Sequence, residues 1–144
     1  MNVTVYCDTS FNNGVCCTGY IINLPNLVIK SKSSTFYAHN NNEAEIAGIL
    51  IACKAVRSIL ELDIHTRITV YNDNIVAVTV ADNNYTPSTR AKKKFNVSSV
   101  IKDWCRDNNV HLTCRQQKRN TPLMKECDKL SKEYRKKGRR NEPI

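Results

Sequence analysis

Four carboxylates stand where a carboxylate needs a reason. In the stretch VTVYCDTS, Val3 to Ser10, Asp8 follows a run of apolar and β-branched residues and precedes the turn signal Asn12-Asn13-Gly14. Strands disfavour Asp, and burying one alone is costly. Glu45 lies beside the apolar stripe of a helical pattern; at about 100° per residue it falls within about 40° of Ile49 and Val56. Glu43 lies off the opposite edge of that stripe, where the helix dipole suits it. Asp73 follows the strand pattern Ile68 to Tyr71. Asp128 sits in KECDKLSKEY, Lys125 to Tyr134. Each has an ordinary explanation taken singly: a turn for Asp73, or an i,i+4 pair with Lys132 for Asp128. Together they point to carboxylates converging where strands end and helices begin. Crowded carboxylates raise one another's pKa, and a divalent cation relieves the repulsion. An all-oxygen cage suits Mg²⁺ or Mn²⁺.

The elements that must position these acids follow from periodicity. Val3–Ser10 and Val15–Leu24 read as strands across a tight turn, and Leu27 to about Lys32, or as far as Ala38, as a third. Asn40-Asn41-Asn42 caps a helix over Glu43–Leu62, with Ile46, Ile49, Leu50, Cys53, Val56 and Leu60 on one face and Gly48 as its weak point. Arg67–Tyr71 is a strand, Ile75–Ala81 a short helix, Val97–Asn108 a helix, Val110–Arg115 a strand and Leu123–Lys137 a helix. A meander followed by βα units predicts an α/β fold with a five-stranded mixed sheet flanked by helices.

The bulk properties narrow the classes. A chain of 144 residues, 41% hydrophobic and 24% charged, forms one domain, expected over residues 1–137 with a basic tail at 138–144. No apolar run reaches the length of a membrane span, and the N-terminus lacks the pattern of a secretion signal. Seven cysteines without a CxxC pair read as reduced thiols packed as small hydrophobes, which predicts a cytoplasmic protein. The net charge is +9, of which +7 falls in residues 115–144. Such a basic end favours a polyanionic partner.

With its element order, the chain resembles type 1 ribonuclease H. The matching pieces are YCDTS (Tyr6–Ser10), NNEAE (Asn41–Glu45), VYNDN (Val70–Asn74) and ECDKLSKE (Glu126–Glu133), and the likeness runs to about Lys137. The resemblance implies a monomeric endonuclease that cuts the RNA strand of an RNA–DNA hybrid, leaving 5′-phosphate and 3′-hydroxyl ends. It implies two Mg²⁺ ions about 4 Å apart, with Mn²⁺ as a substitute. Asp8 would bridge both ions, Glu45 and Asp73 would serve the leaving-group side, and Asp128 the ion that activates water. It further implies substrate contacts from Asn13, Asn41, Asn42, Asn74, Lys93, Lys118 and Arg119.

Three departures from the family stand out. The glycine-rich turn after the first strand is reduced to Asn12-Asn13-Gly14. The basic handle shrinks to Thr86–Phe95, with Arg90 and Lys92–Lys94. The loop before the last helix, CRQQKRNTPLMKECD, has no His, and Lys118 or Arg119 takes its place. The alternatives are a nuclease of the same fold acting on double-stranded RNA or structured DNA, and a nucleic-acid-binding module without catalysis.

Overall fold

The computed structural model describes residues 1–60, 65–85 and 96–140, with side chains of the last helix described through residue 134. Strands β1 (Asn2–Asn12) and β2 (Val15–Leu24) form a hairpin closed by Asn13 and Gly14. Both turn residues have positive φ, 53° and 84°, as a two-residue hairpin turn requires. Strand β3 (Leu27–Lys32) returns antiparallel on β2. It does not run on to Ala38. The register shifts by one residue between the pairs Gly19↔Lys32 and Cys16↔Phe36, so the returning chain holds one extra residue. The Ser33 amide donates to Thr18 O at 2.8 Å, and its hydroxyl accepts from Thr18 N at 3.0 Å, so side chain and backbone hold the break. The chain rejoins β2 as a separate short strand, β4 (Phe36–Tyr37). The sheet therefore has six strands rather than five.

Helix α1 (Asn41–Ile59) begins where Asn40 Oδ1 accepts from the Glu43 amide at 2.9 Å. Strand β5 (Thr66–Asn72) pairs parallel with β1, α2 (Ile75–Ala81) follows, and α3 (Asn96–Asp107) precedes β6 (Val110–Gln116), parallel to β5. Helix α4 (Pro122–Arg140) closes the chain. Pro122 opens α4, a first-turn position where its missing N–H costs nothing. The helix continues past Gly138, where the tail was expected to start, because one glycine lowers helix propensity without breaking the ladder. The sheet order is β3-β2-β1-β5-β6, with β4 on β2. Thr86–Phe95, including Arg90 and Lys92–Lys94, lies outside the described residues.

Alternation sends Val3, Val5, Cys7, Ile68, Val70 and Leu112 to one sheet face, where they meet Ile46, Ile49, Cys53 and Val56 of α1 and Ile101 of α3. Each such aliphatic side chain stabilises the fold by about 1.5–3 kcal/mol. Helix α4 covers the other face over β1 and β2, burying Met124 and Cys127. Two glycines set how closely the helices approach. A Cβ on Gly48 would strike the Thr9 and Thr18 hydroxyls, so α1 rides directly on β1 and β2. A Cβ on Gly19 would strike backbone of α4 at Cys127 and Ser131. The Ser10 hydroxyl donates to Ser131 O at 2.8 Å, locking α4 onto β1. All seven cysteines are free, and burial raises the Cys7 and Cys53 thiols well above the ordinary range. Among the described residues, no helix is long and apolar enough to cross a membrane.

Candidate active site

Strands β1 and β5 run parallel, so their C-terminal ends reach the same edge of the sheet. The register Tyr6↔Tyr71 then sets Asp8 level with Asp73, and the two tyrosines stack with centroids 5.0 Å apart. Helix α1 starts at this edge and brings Glu45 in from its first turns. One carboxylate oxygen from each of Asp8, Glu45 and Asp73 lies within 4.8 Å of the others. Glu45 faces inward, as the helical wheel predicts, and is only 4% exposed; Asp8 is 6% exposed.

Backbone and amide donors hold these groups. The Thr9 amide donates to Asp8 Oδ1 at 3.1 Å and to Glu45 Oε1 at 3.3 Å. Asn72 Nδ2 donates to Glu45 Oε2 at 2.8 Å and to Cys7 O at 3.0 Å, tying β5, β1 and α1 together. The sequence motifs do not single out Asn72. Its signal is parity: it shares the core face with Ile68 and Val70, where an amide needs partners.

Two of these acids, Asp8 and Glu45, resist ionising. Burial, and then the Asp73 charge, raise the Asp8 pKa from 3.8 to about 7. Burial, and then Asp8, raise Glu45 from 4.5 to about 9. The folded chain therefore holds protons that the unfolded chain releases, so without a cation its stability falls as pH rises between 3.8 and about 9. We expect the melting temperature in EDTA to decline through this window and Glu45→Gln to flatten the decline. Thermal melts of both proteins across pH check it; a wild-type melting temperature that rises through the window would contradict it. Hard oxygen donors, crowding and an unmet demand for positive charge all fit a divalent cation.

Asp128 arrives on α4 and lines the same cleft, about 580 Å³ in volume. It stands outside the group of three, with its Oδ1 paired to Lys132 Nζ at 3.0 Å. The i,i+4 pair with Lys132 is therefore formed by a side chain that also lines the cleft. The Ser131 hydroxyl donates to Asp128 O at 2.7 Å, and Ser131 O is the acceptor that Ser10 holds.

The other expected contact residues divide. Asn41, Asn42 and Asn74 line the cleft. Asn74 Nδ2 donates to Asn42 Oδ1 at 2.9 Å, while Asn74 Oδ1 caps α2 through the Ala77 amide at 3.0 Å. Arg119 also lines the cleft, and its Nε donates to Asp73 Oδ2 at 2.9 Å. Lys118 is exposed beside it and does not line the cleft; its carbonyl accepts from Thr121. Of Lys118 and Arg119, Arg119 is the one that lines the cleft. Asn13 is at the hairpin tip, in the turn and outside the cleft, because its residue type serves the positive φ. Lys93 lies outside the described residues.

No protein-family model and no curated protein matches this chain by sequence. Solved structures do match by shape. Ribonuclease H1 from the halophilic archaeon Halobacterium salinarum superposes with a TM-score of 0.72 at 13% identity, covering 95% of this chain and 99% of that one. The N-terminal RNase H domain of a Mycobacterium tuberculosis protein gives a TM-score of 0.65 at 12% identity, covering 96% of each chain. LC11-RNase H1, solved in complex with an RNA/DNA hybrid, gives 0.59 at 15% identity, over 91% of this chain and 94% of that one. In its sheet path, its helix placement and its superposition on these enzymes, the chain has the ribonuclease-H-like fold.

Proposed function

We propose that the protein is a metal-dependent endonuclease that hydrolyses the RNA strand of RNA–DNA hybrids, leaving 5′-phosphate and 3′-hydroxyl ends. The observation that carries this reading is the cluster of Asp8, Glu45 and Asp73, with oxygens within 4.8 Å of one another, lining a polar cleft. These residues would hold divalent ions, with Asp128 completing the set from α4. Bound there, Mg²⁺ or Mn²⁺ supplies Lewis-acid stabilisation of charge on the phosphate and lowers the pKa of the attacking water.

The chain's own groups do the rest. The Thr9 amide and Asn72 fix the Asp8 and Glu45 carboxylates before substrate arrives, and such preorganisation lowers the barrier. The amides of Asn41, Asn42 and Asn74 line the cleft as neutral donors and acceptors. Neutral amides suit a minor groove and the ribose 2′-hydroxyl, which tells RNA from DNA. Lys93 and its lysine neighbours supply phosphate contacts that are insensitive to sequence and weakened by salt. With no His in the loop, proton shuttling near neutral pH falls to solvent, since an arginine stays charged there. The protein acts as a cytoplasmic monomer, in keeping with its seven free thiols.

Cleavage assays on matched RNA–DNA, RNA–RNA and DNA–DNA duplexes, each with Mg²⁺, Mn²⁺ or EDTA, test the proposal. We expect the RNA strand of the hybrid to be cut with either ion and no cleavage in EDTA. Cleavage of the RNA duplex in preference would move the substrate assignment. Binding to the hybrid without any cleavage would leave a binding module.

A further inference from the structure

Arg119 sits on the turn between β6 and α4, and both ends of that turn are pinned. The Gln117 amide donates to Asn72 O at 2.9 Å, Gln116 Nε2 to Asp73 O at 3.3 Å, and the Thr121 amide and hydroxyl to Lys118 O at 3.2 and 2.9 Å. The backbone is thus held against the site. The side chain is not: 83% of it is exposed, yet its Nε reaches Asp73, whose side chain is only 9% exposed. A largely exposed cation is thus paired, through Nε, with a carboxylate of the three-acid group. The surrounding Asp73, Asp8 and Asp128 charges all favour the guanidinium in this place.

We infer that Arg119 is a resident counter-ion of Asp73: it competes with divalent-cation binding, and is released to a substrate phosphate once a cation takes Asp73. The inference rests on the metal-site reading above. Two facts support it. The pair is a single Nε–Oδ2 contact of a largely exposed side chain, so it is cheap to break. A freed guanidinium at the cleft wall has the planar fork that suits phosphate oxygens. Metal binding and substrate binding are then coupled through one side chain, each favouring the other.

Calorimetric titration of Mn²⁺ into metal-free protein, without nucleic acid, tests this in wild type, Arg119→Ala, Lys118→Ala and Asp73→Asn. Arg119→Ala should tighten Mn²⁺ binding about three- to five-fold, the size set by removing an exposed competing pair. Lys118→Ala, which removes the same charge one residue away, should leave it unchanged. In steady-state assays Arg119→Ala should need less Mg²⁺ for half-maximal rate while raising KM for the hybrid. A purely structural role would not move these two constants in opposite directions. Unchanged or weaker Mn²⁺ binding in Arg119→Ala overturns the inference, as does equal tightening in Lys118→Ala. Asp73→Asn separates the two readings: it should bind Mn²⁺ more weakly than wild type. Mn²⁺ binding that ignores Asp73→Asn, or is missing in wild type, overturns the metal-site reading and this inference with it.

Discussion

Asp8→Asn is expected to lower Mg²⁺-dependent cleavage of an RNA–DNA hybrid by at least about 10³-fold, the loss that follows when several kcal/mol of metal-borne stabilisation disappears from a transition state. The amide keeps the shape of the carboxylate and removes its charge. The fold should survive, because Asp8 is costly to the metal-free protein: burial, and then the Asp73 charge, raise its pKa to about 7. Removing that charge relieves Glu45, whose own pKa is raised partly by Asp8. The metal-free variant should therefore melt at a higher temperature than wild type above neutral pH, while losing activity. Hydrolysis rates and thermal melts on the same sample measure both. Asp73→Asn should show the same loss of rate and also lose the ion pair with Arg119. Full cleavage by either variant would sink the assignment of these acids to the metal.

Gly48→Ala is expected to destabilise the protein by about 1–3 kcal/mol, the usual cost of forcing an extra carbon into a packed interior. From helix propensity alone the expectation has the opposite sign, because Ala favours a helix interior over Gly by about 1 kcal/mol. Contact decides the matter. The new carbon would collide with the Thr9 hydroxyl and lie 2.7 Å from the Thr18 hydroxyl. Those two hydroxyls share a buried hydrogen bond of 2.8 Å, so neither swings aside freely. Thr9 also supplies the amide that holds Asp8 and Glu45, so the strain reaches the site. Urea unfolding at a pH below 7 measures the loss, and cleavage at a temperature where the variant stays folded measures the effect on the site. A variant more stable than wild type would show that α1 can lift off the sheet at no cost.

Much of this was legible before any tertiary structure. Strand alternation and helical periodicity place β1, β2, β5, β6 and the four helices to within a few residues, because those patterns are local and the chain repeats them over whole elements. The wheel turns Glu45 inward, and it is buried. Asp8 and Asp73 stand out because a carboxylate in or just past a core strand demands a partner. What resisted was set by contacts distant in sequence. The one-residue shift that splits β3 from β4 depends on Ser33 meeting Thr18 across the sheet. Gly48 looks like a defect in a helix until two threonines of neighbouring strands fill the space where its side chain would be.

The sequence by itself determined the elements, their order and the residue types able to cage a divalent cation, because period and composition act over a few residues. Only the tertiary structure decided which acids meet. Parallel pairing of β1 with β5 brings Asp8 beside Asp73 across 65 residues of chain, while Asp128 stands apart on α4 with Lys132. Only the fold set Arg119 against Asp73, since neighbours in a turn point different ways. Proximity between distant residues is a property of packing, and no local pattern encodes it.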